Sequence, residues 1–386
     1  MIRVGINALF LRKVNTGIGR VTKSLLAELA RFDKENSYIL YTDKRVDFCF
    51  PANFRVKILS SSFYRREDLV KQTFWERITL AREAEKDQLD VFFSPYNSAT
   101  RFKTIPNVVL LHDVIWKVLS GTYLFNFRRK IYAQQTFEAV KAAKKVLTVS
   151  EFSRQEIHKH LNMDLELIRV IGAGVSRDFK PRDKNDRKVV QTLDKLKINA
   201  PYIFYIGGFE SRKNVALLLK AFAKLTKHYK NNLKDRLLVI GGEVPTVPSP
   251  LLDDVSGIVE SLELNRKVKL VGKLTDDELA CVYSGADFFV FPSLYEGFGL
   301  TVLEAMACGV PIIASQIGAI REVAQDTVHY FHPEREDELL QSMNRFLTDP
   351  VLKEELRVRA INRARDFGWS KPAKILLEEL KKNAKQ

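Results

Sequence analysis

The sequence predicts an α/β protein of two doubly wound domains, each built on a parallel sheet. Three observations carry this. Short apolar runs alternate with helical stretches along the chain. Several runs are apolar at successive positions, as in Val108-Val109-Leu110-Leu111, the pattern of strands covered by helices on both faces. The alternation pauses at the polar stretch 181–200 and then restarts, and 386 residues are natural for two domains and long for one.

In the first half, strands are expected at Arg3–Ala8, Tyr38–Thr42, Val56–Ser60, Val91–Ser94, Val108–His112, Val146–Val149 and Ile168–Ile171. Helical patterns fall between them at Gly19–Phe32, Glu67–Lys86, Phe125–Lys144 and Ser153–Leu161. Residues 181–200 read as a linker plus a short helix. Strands then follow at Tyr202–Gly207, Leu237–Gly241, Val268–Val271, Phe288–Phe291 and Pro311–Ala314. Helices fit Asn214–Tyr229, Leu251–Leu262, Asp276–Ser284 and Leu300–Cys308, and the chain is helical in pattern from Glu336 on. Thr275-Asp276-Asp277-Glu278 has the form of a capping box, in which Thr and Glu side chains satisfy each other's backbone amides at a helix start. The facing strand ends of two such domains would form a central cleft, the usual ligand position in open parallel sheets.

Composition excludes several classes. Apolar residues make up 46% and charged residues 28%, a globular balance. No apolar run reaches the roughly 20 residues that span a bilayer. The start, MIRVGINALFLRK, reads as a strand with charges inside it, so no signal peptide is expected. Cys49, Cys281 and Cys308 are far apart with no C-x-x-C, which points to reduced thiols in a cytoplasmic protein, without a disulfide framework or zinc site. The formal charge of +15 is uneven. Residues 1–180 hold 31 Lys/Arg and 19 Asp/Glu, a net of +12, and the remaining 206 residues hold 31 and 28, a net of +3. The excess implies an acidic partner for the first half: nucleic acid, an anionic lipid surface or an acidic substrate.

The densest chemical signal is residues 287–315, DFFVFPSLYEGFGLTVLEAMACGVPIIAS. A strand ends at Phe291, a turn carries Glu296-Gly297-Phe298-Gly299, and a helix containing Glu304 follows. The glycines allow close backbone approach to a ligand. The amides of Gly299, Leu300 and Thr301 would be free at a helix N-terminus, where partial positive charge favours phosphate. By itself the segment also fits an ordinary strand–loop–helix with two surface glutamates.

Glu296, seven residues, then Glu304 followed by Ala-Met-Ala-Cys-Gly-Val-Pro-Ile-Ile-Ala resembles the E-x7-E segment of the retaining glycosyltransferases of family 4, which have the GT-B fold of two Rossmann-like domains. The resemblance extends in order along the chain. Thr16-Gly17-Ile18-Gly19-Arg20 looks like the family's N-terminal glycine loop, and His112-Asp113 like its histidine at a strand end. Val149-Ser150-Glu151-Phe152-Ser153, Gly174-Val175, Gly207 to Asn214 (GGFESRKN) and Phe367-Gly368-Trp369-Ser370 match further landmarks. Within the family, GGFESRKN with the TGIGR loop looks most like bacterial mannosyl- or rhamnosyl-type transferases of surface polysaccharide assembly, the mannosyltransferases first.

The resemblance implies an acceptor-binding domain over 1–180, completed by a C-terminal helix over 370–386, and a nucleotide-sugar-binding domain over 181–369. It implies a hexosyl transfer with retention at the anomeric carbon, with GDP-mannose as the best-matched donor, and a saccharide or lipid-linked acceptor. Glu304 would accept from the ribose hydroxyls and Glu296 would hold hydroxyls of the transferred sugar. Gly272 would let the base lie against backbone. Gly17 and Gly19 would bring amides toward the phosphates, although a simple helix cap also explains them. His112 would contact the sugar, although a lone histidine there also fits a structural role. No Asp-x-Asp occurs in the chain, so no metal and no cofactor beyond the donor substrate is expected. Positive charge for the leaving diphosphate would then come from Arg212, Lys213 and helix ends. Many relatives carry Arg after the first glycine of this loop, where this chain has Gly208, and Arg212 is the candidate substitute.

On this scheme the +12 falls on the acceptor side. Residues 63–86 mix Lys/Arg with Phe63, Tyr64, Phe74 and Trp75, and residues 122–133 (TYLFNFRRKIYA) do so again. Such helices can rest on an anionic membrane surface, placing the protein peripherally on the inner face of the plasma membrane. They equally fit amphipathic core helices with solvated faces. A UDP-sugar donor, or an epimerase of the UDP-GlcNAc 2-epimerase type, remains as a further reading. A basic nucleic-acid-binding protein is disfavoured, because no zinc-finger or RNP-like motif is present.

Overall fold

Both expected sheets are present in the computed structural model, which describes residues 1–385 apart from 15, 61–68, 124–126 and 245–248. The chain divides into two units, Met1–Ala173 with Gly368–Gln386, and Gly174–Phe367.

The first unit holds seven strands: β1 (Arg3–Asn7), β2 (Ser37–Thr42), β3 (Phe54–Ile58), β4 (Val91–Ser94), β5 (Asn107–Leu110), β6 (Lys145–Thr148) and β7 (Ile168–Val170). They pair in parallel in the order β3-β2-β1-β4-β5-β6-β7. β4 and β5 are buried at every position, which explains their unbroken apolar or neutral sequence. The order reverses direction between β1 and β4, which makes the carboxyl ends of these two strands the topological switch point. The C-terminal helix Ser370–Asn383 packs in this unit beside helix Gly17–Phe32, with Ala373, Leu376 and Leu380 fully buried.

The second unit holds β8 (Tyr202–Ile206), β9 (Leu237–Gly241), β10 (Val268–Gly272), β11 (Phe288–Phe291), β12 (Ile312–Ser315) and β13 (His329–Phe331). All pairs are again parallel, in the order β10-β9-β8-β11-β12-β13, with the switch point between β8 and β11. Phe222, Leu218, Ile240, Phe288, Phe346 and Met343 are among its fully buried core residues. Burying side chains of this size contributes about 1.5–3 kcal/mol each.

Three differences from the sequence reading have physical causes. β13 is a three-residue edge strand, half-buried at two positions, too short to leave an apolar run. Helix Gly318–Ala324 is only seven residues long. The stretch 181–200 holds the expected short helix, Arg187–Lys195, but is packed where a free linker was expected: the helix buries Val189 and Thr192, Lys188 pairs with Asp277 at 2.9 Å, and Arg182 donates to the Cys281 sulfur at 3.3 Å. The unit boundary accordingly falls earlier, at Ala173 and Gly174. Among the described residues no helix is long and apolar enough to cross a membrane, and no cluster of His, Cys, Asp and Glu could hold a metal ion.

Candidate functional site

Two loops leave the carboxyl ends of β8 and β11, on either side of the switch point in the second unit. The loop after β8 holds Gly207 to Asn214. Its first part is pinned by Tyr205, whose hydroxyl donates to the Gly208 carbonyl at 2.9 Å. Arg212 and Lys213 lie in a short 3-10 turn, Ser211–Lys213, which precedes helix Val215–His228. Asn214 separates the two in a left-handed conformation (φ 58°), one that Asn tolerates better than most residues. Its Nδ2 donates to the carbonyls of Pro292 (3.2 Å) and Pro333 (2.8 Å). The Leu294 amide donates to the Arg212 carbonyl at 2.7 Å. The two loops are therefore stitched together by backbone. Asn214 is a positioning residue; in the sequence it stands out only as the end of the GGFESRKN landmark and the expected start of the helix, with no role attached.

This stitching brings together side chains more than 80 residues apart in sequence. Glu296 Oε1 lies 2.5 Å from Lys213 Nζ and 3.0 Å from Arg212 Nη1. Arg212 also donates to the Tyr295 carbonyl at 3.3 Å. Lys213 and Glu296 are 13% and 15% exposed at their side chains, so the ion pair is largely shielded from solvent. Burial alone would push the Glu296 carboxyl up, but Lys213 and Arg212 outweigh it and hold it below the usual carboxylate range. Arg212 Nη2 also lies 3.8 Å from Glu210 Oε1, so the cluster sets two cations against two carboxylates.

The second loop ends at Gly299, which caps helix Leu300–Cys308 in a left-handed conformation (φ 101°). The backbone requires glycine there, and a Cβ would also displace the terminal methyl of Ile320, 2.3 Å away. The N-terminus of this helix, at Leu300 and Thr301, thus opens on the same loop that carries Glu296. The Tyr283 hydroxyl donates to the Thr301 carbonyl at 3.1 Å and steadies the first turn. Glu304 lies one turn into the helix and is buried. Gly272 ends β10 with φ 70° and open space where a side chain would be, and its carbonyl accepts from the Gly242 amide at 2.9 Å.

The remaining expected residues belong to the first unit. Thr16 caps helix Gly17–Phe32, its Oγ1 accepting from the Gly19 amide at 3.1 Å. A Cβ at Gly19 would come within 2.1 Å of the Lys13 carbonyl oxygen. Gly19 is therefore explained by local packing and capping, with its amide already engaged. Gly17 is the first residue of that helix. His112 lies just beyond β5, and its Nε2 is 2.9 Å from the Pro95 carbonyl. A carbonyl only accepts, so Nε2 bears the proton. Burial pushes the His112 pKa down, and neither the Pro95 carbonyl nor the neighbouring Asp113 reverses it. Ser153 Oγ donates to the His112 carbonyl at 3.0 Å. The Ser-Glu-Phe-Ser landmark thus has a local role: Ser150 caps helix Glu151–Leu161 and Ser153 holds the histidine backbone.

Chemically, the second unit offers a cationic pair, a carboxylate and a helix N-terminus on adjoining loops. Such a set suits a phosphorylated ligand with hydroxyl groups.

Comparison with known proteins agrees in both halves. Residues 15–179 match the family described as Glycosyltransferase Family 4, and residues 191–367 match Glycosyl transferases group 1. The chain is 32% identical over 234 residues to the O-antigen chain mannosyltransferase B of Escherichia coli, covering 60% of this chain and 59% of that protein. The chain therefore spans less than two thirds of that relative. Sucrose-phosphate synthase from Thermosynechococcus elongatus has a similar fold, with a TM-score of 0.79, 20% identity and 99% of both chains covered. So does Anabaena Alr3699/HepE, solved with UDP and glucose, with a TM-score of 0.74, 15% identity and 99% of both chains covered. With two consecutive family matches, two parallel sheets in order and the E-x7-E segment in place, residues 15–179 belong to Glycosyltransferase Family 4 and residues 191–367 to Glycosyl transferases group 1, on the GT-B fold.

Proposed function

We propose that this chain transfers a hexosyl group from a nucleotide-sugar to a saccharide or lipid-linked acceptor in surface polysaccharide or glycolipid synthesis, with retention at the anomeric carbon. The observation that carries this reading is the joining of Arg212, Lys213 and Glu296 beside the helix N-terminus at Gly299, at the switch point of the second sheet. The diphosphate of the donor takes its positive charge from Lys213, Arg212 and the amides of Leu300 and Thr301. Once phosphate draws the cations, Glu296 is released to accept from sugar hydroxyls. Glu304 takes the ribose hydroxyls, and the open space beside Gly272 takes the base. His112 contacts the sugar. The leaving phosphate helps remove the acceptor proton in a front-side reaction.

Mannose from GDP-mannose is the favoured donor, on the strength of the E. coli mannosyltransferase likeness. A UDP-sugar is the second reading, favoured by the fold neighbour solved with UDP and glucose. A thermal-shift panel of GDP-, UDP- and dTDP-sugars separates them, because a ligand that binds only the folded state raises Tm by mass action. GDP-mannose is expected to give the largest rise. A larger rise with a UDP-sugar transfers the assignment to the second reading, and no rise with any donor overturns the transferase reading. The anomeric configuration of the product, read by NMR, tests retention, and unchanged turnover in EDTA tests independence from metal.

The basic first half supports an anionic membrane as a further partner. Phe127, Ile131, Phe74 and Ile78 are exposed, and Arg77, Lys130 and Ile131 line one surface depression. Trp75 takes no part: it is buried, and its indole donates to the Leu59 carbonyl at 2.8 Å. Phe63 and Tyr64 lie outside the described residues.

A further inference from the structure

Glu76 is a fully buried carboxylate in the first unit, 0% exposed, and the mechanism above does not use it. Removing a carboxylate from water is costly unless its oxygens are well satisfied. Here they are. Oε1 accepts from the Tyr96 hydroxyl (2.7 Å) and from Gln72 Nε2 (2.8 Å), and Oε2 accepts from the Ala99 amide (2.7 Å). Glu76 stands in a π-helical stretch, Trp75–Leu80, between the helical stretches Leu69–Phe74 and Ala81–Lys86. Such widened turns are uncommon and frequently occur at functional sites.

Two of the three partners of Glu76, Tyr96 and Ala99, lie in one place, residues 95–100, which follow β4 at the switch point of the first sheet. Asn7, at the end of β1, donates through Nδ2 to the Tyr96 hydroxyl at 2.8 Å and to Ser98 Oγ at 3.3 Å. Ser98 and Thr100 hydroxyls lie 2.6 Å apart. From helix Phe127–Lys141, the Tyr132 hydroxyl donates to the Asn97 carbonyl at 3.2 Å, and Gln72 Nε2 donates to Tyr132 at 3.0 Å. Segment 95–100 has few backbone bonds of its own, chiefly Ser98 N–H to the Tyr96 carbonyl at 2.7 Å. Its shape is therefore set by side chains, and Glu76 grips it at Tyr96 and Ala99. Pro95, the residue before that grip, supplies the carbonyl that accepts from His112 Nε2. The chain of contacts runs from a buried carboxylate to the bond from His112 Nε2 to the Pro95 carbonyl, which orients the ring and sets its tautomer.

We propose that Glu76 is a positioning residue for the transfer reaction: it clamps segment 95–100 so that the Pro95 carbonyl orients His112. The inference rests on the reading of His112 as a sugar contact. The site otherwise fits a well-satisfied structural network, so the test needs a readout that a structural role would not move. Glu76→Gln replaces one acceptor oxygen with a donor amide facing Tyr96 or Ala99. Tyr96→Phe keeps the ring and removes one strut, and serves where Glu76→Gln does not fold. The ring Nε2–H resonance of His112, assigned through His112→Gln in protein labelled with 15N-histidine, reports its orientation directly. Both variants are expected to shift that resonance and to lower kcat with GDP-mannose by about tenfold, a misplacement effect, while donor KM stays within about twofold. A shift in either folded variant supports the clamp. An unmoved resonance and unchanged kcat in every variant that folds overturn it. Should the wild-type protein transfer no sugar from any donor, the reading of the function fails, and the resonance still decides whether Glu76 sets His112.

Discussion

Lys213 stands where a carboxylate already holds it, at 2.5 Å from Glu296. A diphosphate leaving group would compete with that carboxylate and draw Lys213 most strongly as charge develops on the phosphate. Lys213→Ala should therefore lower kcat by about 100-fold with little change in donor KM, the pattern of a contact that tightens in the transition state. Steady-state kinetics check this, and an unchanged kcat would remove Lys213 from the mechanism. The residues of this cluster were legible because GGFESRKN and the E-x7-E segment are dense local patterns. Glu76 was not legible, because it lies in a run of Arg, Lys and Glu that reads as an ordinary amphipathic helix. Only tertiary contacts single it out.

At the scale of elements, turn and cap chemistry decides where helices begin. Gly299→Ala would force a side chain into the left-handed conformation at φ 101° and against Ile320. The expected cost is about 1–3 kcal/mol of stability, measured by urea unfolding, together with weakened donor binding in thermal shift. An alanine variant as stable as wild type would refute the strain. The capping box at Thr275 and Glu278 is fully formed in the structure. Thr275→Ala should cost about 1 kcal/mol. The Lys195 ammonium and the Thr275 amide hold the Glu278 carboxyl down at about 2, below its ordinary 4.5. The unfolded chain therefore binds that proton more readily. The stabilisation is present above about 4.5 and is lost as pH falls toward about 2. The stability gap between wild type and Glu278→Gln should shrink between pH 5 and pH 3, and a gap independent of pH would contradict this.

At the scale of the whole molecule, charge is the feature that sequence alone exposes best. The first 180 residues carry a net of +12 and the rest a net of +3. Exposed Phe127 and Ile131 beside Arg128, Arg129 and Lys130 place apolar and basic groups on one helix. Co-sedimentation with anionic vesicles should be strong at 0.1 M salt, where the Debye length is about 10 Å, and weak at 1 M, where it is about 3 Å. Neutral vesicles should not bind. Phe127→Asp should weaken the anionic interaction, and binding insensitive to salt would point away from the basic surface.

The sequence by itself determined the fold class, twelve of the thirteen described strands, and the loops that carry Arg212, Lys213, Glu296 and Glu304. It could do so because buried parallel strands demand continuous apolar runs and because glycine turns and capping residues act locally. The tertiary structure alone decided which of these groups meet. Lys213 and Glu296 are paired because the Leu294 amide bonds the Arg212 carbonyl across the switch point, and no local pattern encodes a bond between residues so distant in sequence. It also decided that 181–200 packs as part of the second unit, and that His112 answers through Pro95 to a carboxylate on another helix. Local physics writes elements into a sequence, whereas the partners of a polar side chain exist only once the elements have packed.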